Sequence, residues 1–108
     1  MLADPYHVYK GGSSIESVDL LSARCLQHLH MNDYPADPPR ETILDEHRVY
    51  PGDGVAPLTA LFRTLRDIGY SGMLSLELFS KALWAQDPLE VAKTGLEKTK
   101  AAVKKAFA

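Results

Sequence analysis

The sequence predicts an α/β fold built on a parallel sheet. Three short apolar segments have the composition of strands, and each is followed by a segment with helical features, which gives the order β-α-β-α-β-α. Each connection between strands is long enough to return the chain for parallel pairing. In the third strand one face carries only leucine and the other includes serine and glutamate, as expected of a barrel strand whose inner face leads to the mouth.

The first half of the chain contains two predicted strands and one predicted helix. The first strand lies within MLADPYHVYK, where only three residues precede Asp4, whereas a typical strand has about 5–6 residues. Ser14 is a suitable N-cap for a helix over residues 15–23. The segment CLQHLHM, residues 25–31, is the second predicted strand.

The second half contains a long polar segment, two helices and the third strand. A loop as long as residues 32–54 is uncommon in a compact domain, and we expect its part DYPADPPRE to form a flexible lid. The clearest helix spans residues 57–70, with Gly69 at the C-terminal cap. The third strand is SGMLSLELF, residues 71–79. The last helix follows Asp87, and its predicted buried stripe comprises Leu89, Ala92, Leu96, Thr99, Val103 and Phe107.

The bulk composition is that of one small globular domain over residues 1–108. The chain is 45% hydrophobic and 24% charged, with a formal net charge of -2, which argues against nucleic acid or an anionic membrane as a partner. A single cysteine excludes an internal disulfide and fits a reducing compartment. No apolar run approaches the ~18 residues of a membrane span, and the N-terminus has no signal-peptide pattern. We therefore expect a cytoplasmic protein.

Polar residues with catalytic chemistry fall at the ends of the predicted strands. Asp4 and His7 end the first strand, His28 and His30 end the second, and Glu77 ends the third. In a parallel sheet the carboxyl ends of the strands lie at one edge, which is where ligands bind. The sequence thus predicts that these side chains meet at one rim.

An aspartate, a histidine and a glutamate from three strand ends suit a divalent cation. Carboxylate oxygens and imidazole bind Mn²⁺, Mg²⁺, Zn²⁺, Co²⁺ or Fe²⁺, and the lack of thiolates argues against a structural zinc site. The pattern alone leaves other interpretations open. Asp4 is also suited to capping a turn, His28 to a place in the core, and Glu77 to an ion pair with an arginine across the loop.

Five short motifs together resemble a known enzyme family. They are DPYH, HLHMND, RVYPGDG, IGYSG and LELF, and they span essentially the whole chain. In this order they resemble the C-terminal portion of the sugar phosphate isomerase/epimerase family, the xylose isomerase-like TIM barrels. The resemblance implies a partial TIM barrel, in which three consecutive parallel βα units correspond to strands 6–8 of a (β/α)₈ barrel.

The resemblance also assigns roles to individual residues. It implies that Asp4, His30 and Glu77 bind one divalent metal cation (Mn²⁺, Mg²⁺, Co²⁺, Zn²⁺ or Fe²⁺), and that Glu77 is also the catalytic base. It further implies that His7 contacts substrate, and that Arg48 contacts substrate or holds the metal-site region.

Two more residues lie close to these motifs. We expect His28 and Asp33 to hold neighbouring groups in place or to be purely structural. The family's fourth metal ligand is a glutamate on an earlier strand, which no residue of this chain matches.

A complete barrel has eight βα units and about 250 residues. We therefore expect residues 1–108 to be the C-terminal fragment of a single barrel domain, with the missing N-terminal barrel half or a second copy as its partner.

The implied activity is that of a sugar (phosphate) isomerase or epimerase acting on a small sugar or polyol ketone. Such an enzyme would act by metal-assisted proton transfer next to a carbonyl. The fragment alone is expected to be inactive. An inosose-type dehydratase of the same family and a non-catalytic fragment are the alternatives. An apurinic-site nuclease fits less well, because it would carry more metal-binding histidines and a basic groove, whereas the formal net charge here is -2.

Overall fold

The computed structural model describes residues 1–108 as one parallel α/β unit. In chain order it contains β1 (Leu2–Ala3), α1 (Pro5–Lys10), a 3₁₀ helix (Ile15–Leu20), β2 (His28–Met31), a second 3₁₀ helix (Asp45–His47), α2 (Leu58–Asp67), β3 (Met73–Leu76), α3 (Lys81–Trp84) and α4 (Pro88–Ala106). None of these helices combines the length and the apolar composition that crossing a membrane requires.

The three strands form one parallel sheet in the order β1-β2-β3. Leu2 is in register with His28, and His30 is in register with Ser75. Both pairings are parallel and join strands that are consecutive along the chain, with helical segments between them. This arrangement confirms the predicted α/β class, and it is the one that three consecutive βα units of a barrel would have.

The main core lies between the sheet and α2. Leu29 and Met31 of β2 are fully buried and belong to one cluster with Leu61 and Leu65 of α2. His28 and His30, which alternate with them, are only partly buried. The period-two alternation of β2 therefore directs the leucine side into the core and the histidine side away from it.

The first predicted strand is shorter than expected, because the chain turns into a helix directly after Ala3. Asp4 has extended backbone angles and caps α1, its carboxylate accepting a hydrogen bond from the backbone N–H of His7 at 3.2 Å. Pro5 occupies the first helical position, which suits proline because no N–H is needed there. The prediction that His7 ends the strand is thus wrong, and His7 lies in α1.

The long segment after β2 is anchored on both sides of the stretch 35–41, whose residues are mostly exposed. Tyr34 and Ile43 are buried and form a second small cluster with Tyr6 of α1. The Tyr6 hydroxyl donates to the backbone carbonyl of Ile43 at 3.3 Å. An antiparallel bridge between Asp33 and Val49 closes the segment at its base. The few apolar residues of this segment are enough to anchor it.

Two helices test the sequence prediction with opposite results. α2 ends as predicted, with Gly69 at a φ of 76° just beyond it. In α4 the buried positions are Gly95 and Ala106, whereas Leu89 and Leu96 are 59% and 56% exposed. The predicted stripe is therefore wrong for Leu89 and Leu96, and also for Ala92 and Phe107, which are exposed.

Close packing at Gly95 explains the orientation of α4. A Cβ atom at this position would lie 2.2 Å from Cδ2 of Leu76 in β3. The missing side chain lets α4 approach the leucine face of the strand, and Leu96 then faces outward. A groove of about 620 Å³ results, and Leu74, Leu83, Trp84 and Leu96 are among its lining residues.

Candidate metal centre

Three side chains from three strand ends meet at one point of the sheet edge. Asp4 follows β1 directly, His30 lies in β2, and Glu77 follows β3 directly. One ligand-type atom from each lies within 4.8 Å of the others. His30 Nδ1 is 3.0 Å from Glu77 Oε2 and 3.6 Å from Asp4 Oδ2. The convergence expected from the sequence is present.

The Asp4 carboxylate is buried and held from several directions. Its Oδ1 atom accepts hydrogen bonds from the His7 backbone N–H at 3.2 Å and from Asn32 Nδ2 at 3.0 Å. Asn32 is itself fully buried, and its Oδ1 accepts from the backbone N–H of Tyr6 at 3.1 Å. The Asn32 amide therefore ties the end of β2 to the start of α1 and leaves Oδ2 of Asp4 facing His30 and Arg48.

Glu77 has a more open setting than Asp4. Its backbone N–H donates to the Met31 carbonyl at 3.0 Å, which extends the ladder between β2 and β3 by one residue. Its side chain is 32% exposed, whereas that of Asp4 is 2% exposed. Of the two carboxylates, Glu77 is the one that a molecule in solution can reach.

Arg48 lies behind the three side chains and contacts two of them. Its Nη1 donates to Asp4 Oδ2 at 3.2 Å and to Glu77 Oε2 at 2.9 Å. Its Nη2 contacts His7 Nε2 at 3.0 Å and the carboxylate of Asp45. The residue is only 2% exposed. Its positive charge thus lies between two carboxylates that would otherwise repel each other.

Two aromatic rings enclose the Arg48 guanidinium. Its central carbon lies 4.5 Å from the ring centroid of Tyr6 and 4.9 Å from that of Phe79. Both contacts are within the range of cation–π attraction. Burial is the largest cause of the raised pKa of Tyr6, and the neighbouring Asp45 also raises it. The sequence pattern did not indicate Tyr6 or Asp45 as neighbours of the site.

The two remaining site candidates are His28, which is next to His30, and Asp33, which faces away from the three ligand-type side chains. The ring of His28 lies edge-on to that of His30, with centroids 5.5 Å apart. Asp33 faces away from the group, and its carboxylate accepts backbone N–H bonds from Tyr34, Gly52, Gly54 and Ala56 at 2.8–3.1 Å. Asp33 therefore holds the PGDG turn, which carries the chain from Arg48 to α2.

The three-residue group opens into a cleft of about 640 Å³. Its lining residues include His7, Phe79, Lys81, Glu46 and Trp84. Lys81 Nζ lies 2.7 Å from Glu46 Oε2, so an ion pair joins α3 to the second 3₁₀ helix at this cleft. The rings of Phe79 and Trp84 therefore lie at the same cleft as Glu77.

The donor set and its spacing fit a divalent cation. Ligand atoms at about 2.0–2.2 Å from one ion lie roughly 3.0–3.6 Å apart when they are adjacent. The distances from His30 Nδ1 to the two carboxylates, 3.0 and 3.6 Å, are in this range. Two carboxylates and one imidazole match the three-ligand set of catalytic sites that keep a position open.

Comparison with known proteins places this chain in a family. The family model described as xylose isomerase-like TIM barrel matches residues 1–102. The inosose isomerase of Bacillus velezensis is 34% identical over 107 residues, which are 99% of this chain and 38% of that protein. The inosose isomerase of Bacillus subtilis is 32% identical over the same share of each chain.

Solved structures give the same result at the level of the fold. A crystal structure of the IOLI protein with a binding zinc atom superposes with a TM-score of 0.90 at 31% identity, covering 100% of this chain and 38% of that one. A xylose isomerase domain protein from Alicyclobacillus acidocaldarius superposes with a TM-score of 0.82 at 26% identity. The chain spans 38% of the length of the curated relatives it matches. By its sequence and its fold, the chain belongs to the xylose isomerase-like TIM barrel family.

Proposed function

We propose that residues 1–108 are part of a sugar or polyol isomerase or epimerase that moves a proton next to a carbonyl. One observation carries the proposal: ligand atoms of Asp4, His30 and Glu77 lie within 4.8 Å of one another at the carboxyl ends of three parallel strands. The relatives named inosose isomerase support this class of reaction. They favour a cyclic polyol ketone, or a related small sugar, as the substrate.

Asp4, His30 and Glu77 are the residues that would hold the metal. Zinc is the first choice within the predicted set, because a similar solved structure contains a zinc atom. When bound, the cation supplies a Lewis acid that polarises a carbonyl oxygen. Arg48 keeps the two carboxylates together, and the Asn32 amide fixes the orientation of Asp4.

Glu77 is the proposed base. Its carboxylate reaches the cleft, whereas that of Asp4 is buried under hydrogen bonds from His7 and Asn32. An exposed carboxylate oxygen can take a proton from the carbon beside a carbonyl, whereas a buried carboxylate cannot approach that carbon. The return of the proton to another face or carbon requires a second group, which the family supplies from an earlier strand.

A dehydratase that acts on inosose begins with the same proton abstraction. We propose isomerisation first, because the relatives are named inosose isomerase. A non-catalytic role of the isolated chain is compatible with both, because the chain spans 38% of its relatives. We propose that activity requires further βα units, from the same polypeptide or from a partner. A cytoplasmic location stays a prediction.

Solvent deuterium exchange tests the proposed chemistry. The chain is mixed with the N-terminal part of the Bacillus velezensis inosose isomerase that lacks the matching region, together with Zn²⁺ and an inosose in D₂O. Proton NMR then follows deuterium uptake at the carbon beside the carbonyl. We expect uptake with the unaltered chain and a loss of at least a hundredfold with Glu77→Gln.

The matched control is Asp53→Asn, which removes an exposed carboxylate that pairs with Lys98 away from the site. This variant is expected to retain the full rate. Equal rates for Glu77→Gln and the unaltered chain would exclude Glu77 as the base. An assembled barrel that binds Zn²⁺ and yet never exchanges the proton would contradict the proposed reaction class.

A further inference from the structure

The short helix α3 is held loosely by the rest of the chain. None of its four residues is buried, and no side chain caps its N-terminus. Just before it, the backbone N–H groups of Leu78 and Phe79 donate to no backbone carbonyl, although the N–H of Glu77 still bonds to the neighbouring strand. An element with few buried apolar contacts and few backbone hydrogen bonds can open locally while the core stays folded.

α3 forms the wall between two cavities. Lys81 and Trp84 line the cleft that contains Glu77, whereas Leu83 and Trp84 line the apolar groove of about 620 Å³ beside α4. Leu83 is the one residue of α3 that is not exposed. A single leucine therefore attaches α3 to the groove, and a displacement of α3 changes the shape of the cleft.

On the cleft side, α3 is attached by one ion pair. Lys81 Nζ lies 2.7 Å from Oε2 of Glu46, which belongs to the second 3₁₀ helix and also lines the cleft. The partner segment is firmly held, because the neighbouring Asp45 pairs with the buried Arg48. The ion pair thus joins a loosely held helix to an anchored segment, and it determines where that helix lies.

We propose that α3 is a lid of the cleft and that the ion pair between Lys81 and Glu46 is the latch that keeps the lid closed. In the closed position the rings of Phe79 and Trp84 lie at the cleft beside Glu77. When the ion pair breaks, α3 moves away on the segment that precedes it, and the cleft opens. The consequence for a cation or a substrate in the cleft rests on the proposed function.

The latch is weak enough to open and close readily. The side chains of Lys81 and Glu46 are 72% and 39% exposed, and an exposed pair of this kind changes a population by roughly twofold to fivefold. That factor is sufficient here, because α3 has no buried residue to hold it in place. A cleft with such a lid can bind a ligand and still release it.

Trp84 reports on the lid without any ligand, because it is the only tryptophan of the chain and lies in α3. Fluorescence anisotropy decay separates fast motion of this ring and its helix from the slow tumbling of the whole chain. The variants are Lys81→Glu, Glu46→Lys and the chain that carries both changes. We expect the amplitude of the fast motion to rise at least twofold in each single variant. It returns to the original value in the double variant, where the ion pair is restored with its charges exchanged.

Lys93→Glu is the matched control. It reverses the charge of a lysine in an exposed pair of α4, and this lysine lines neither cavity. The control is expected to leave the motion of Trp84 unchanged. Single variants that behave like the unaltered chain would overturn the proposal, and so would a double variant in which Trp84 moves as fast as in the single variants.

Zinc release tests whether the lid controls the cleft. The Zn²⁺-loaded chains are mixed rapidly with an excess of chelator, and the release rate is measured. Lys81→Glu makes the cleft more negative and Glu46→Lys makes it more positive, so an effect of charge alone would move the two rates in opposite directions. A lid predicts faster release in both single variants, by roughly twofold to fivefold, and the original rate in the double variant. Opposite changes, or equal rates in all chains, would show that α3 is not a lid.

The two measurements keep this proposal apart from the proposed function. The motion of Trp84 is measured without metal, so it does not depend on zinc binding. A chain that binds no Zn²⁺, but in which Trp84 responds to the charge exchange as expected, would contradict the metal centre and leave the latch standing. A chain that binds Zn²⁺ and shows no response of Trp84 would contradict the latch alone.

Discussion

At the residue scale, the identity of the site depends on where each short strand stops. Asp4 and Glu77 each follow the last residue of a strand, and His30 lies one position before the end of β2. Because parallel strands end at one edge, these three positions were predictable from the sequence. Two of the alternative interpretations also hold, since Asp4 caps α1 and Glu77 pairs with Arg48.

The supporting residues were harder to predict. Arg48 comes from a long segment without hydrophobic period, so only the family resemblance, and no spacing rule, connected it to the site of Asp4, 44 positions earlier. Asn32 is adjacent to the strand end, and that position was the only signal for its bond to Asp4. Contacts of this kind depend on how a loop folds back, which local sequence patterns do not encode.

Replacing Arg48 by methionine is expected to destabilise the chain. The change keeps a long apolar stem and leaves two carboxylates, one of them buried, without their cation. Breaking a buried ion pair on one side costs about 3–5 kcal/mol. Urea denaturation measures this loss, and Zn²⁺ is expected to restore part of it by replacing the missing charge.

Arg66→Met is the matched control, because Arg66 is 62% exposed and its one ion pair, with Asp67, is on the surface. Its expected cost is within about 0.5 kcal/mol. Equal effects of the two arginine changes would contradict the role assigned to the buried guanidinium.

At the element scale, the strands and the amphipathic helix α2 followed their hydrophobic periods, whereas α4 did not. The helix turns a small residue, Gly95, toward Leu76 and leaves Leu89 and Leu96 outside. A pattern based on large apolar residues selects the wrong face when the close contact is made by glycine. The packing of the segment after β2 was missed for a similar reason, because few of its apolar side chains are buried, among them Tyr34 and Ile43.

Gly54→Ala is expected to disrupt the turn held by Asp33. A Cβ at position 54 would lie 2.3 Å from the Tyr34 carbonyl oxygen and 2.4 Å from Asp33 Oδ1. Neither atom can move without breaking hydrogen bonds that hold this turn. We therefore expect a loss of about 1–3 kcal/mol in the free energy of unfolding. Asp53→Ala, one residue earlier and exposed, is the control in the same urea experiment. An unchanged free energy of unfolding in Gly54→Ala would contradict the role of Asp33 in holding the turn.

The ion pair between Lys81 and Glu46 is expected to order α3 in a pH-dependent way. A hydrogen bond from Lys81 and its charge hold the pKa of Glu46 below its usual range, and Glu46 raises the pKa of Lys81. The contribution is therefore present at neutral pH. It is lost as pH falls through the lowered pKa of Glu46, or rises through the raised pKa of Lys81.

Hydrogen exchange of the Leu83 and Trp84 amides measures this effect, because both donate to the carbonyl of Ser80, the N-cap of α3. Lys81→Met is expected to speed their exchange at pH 7, and high salt is expected to reduce the difference. Lys93→Met, which breaks an exposed pair within α4, is the control. Unchanged exchange in Lys81→Met would show that the pair does not order α3.

At the scale of the whole molecule, the chain presents surfaces that a barrel would cover. It spans 38% of its curated relatives, and the groove beside Leu74, Leu83 and Leu96 lies open. Both outer strands of the sheet have one edge without a partner. Such surfaces favour association with further βα units or with another copy.

The isolated chain is therefore expected to self-associate through this groove. Leu96→Glu places a charge in it, and analytical ultracentrifugation is expected to detect a shift toward monomer at equal concentration. Leu20→Glu changes a leucine that is 87% exposed and remote from the groove, and it is expected to leave association unchanged. Equal association of both variants would exclude the groove as the contact.

X-ray absorption at the zinc edge is the most direct test of the metal centre. We expect the Zn²⁺-loaded chain to bind one ion with a single imidazole and carboxylate oxygens at about 2.0–2.2 Å. His30→Ala is expected to lose the imidazole signal, and His28→Ala, at the neighbouring position of the same strand face, is expected to retain it. A spectrum that is the same in the unaltered chain and in His30→Ala would contradict a cation held by Asp4, His30 and Glu77.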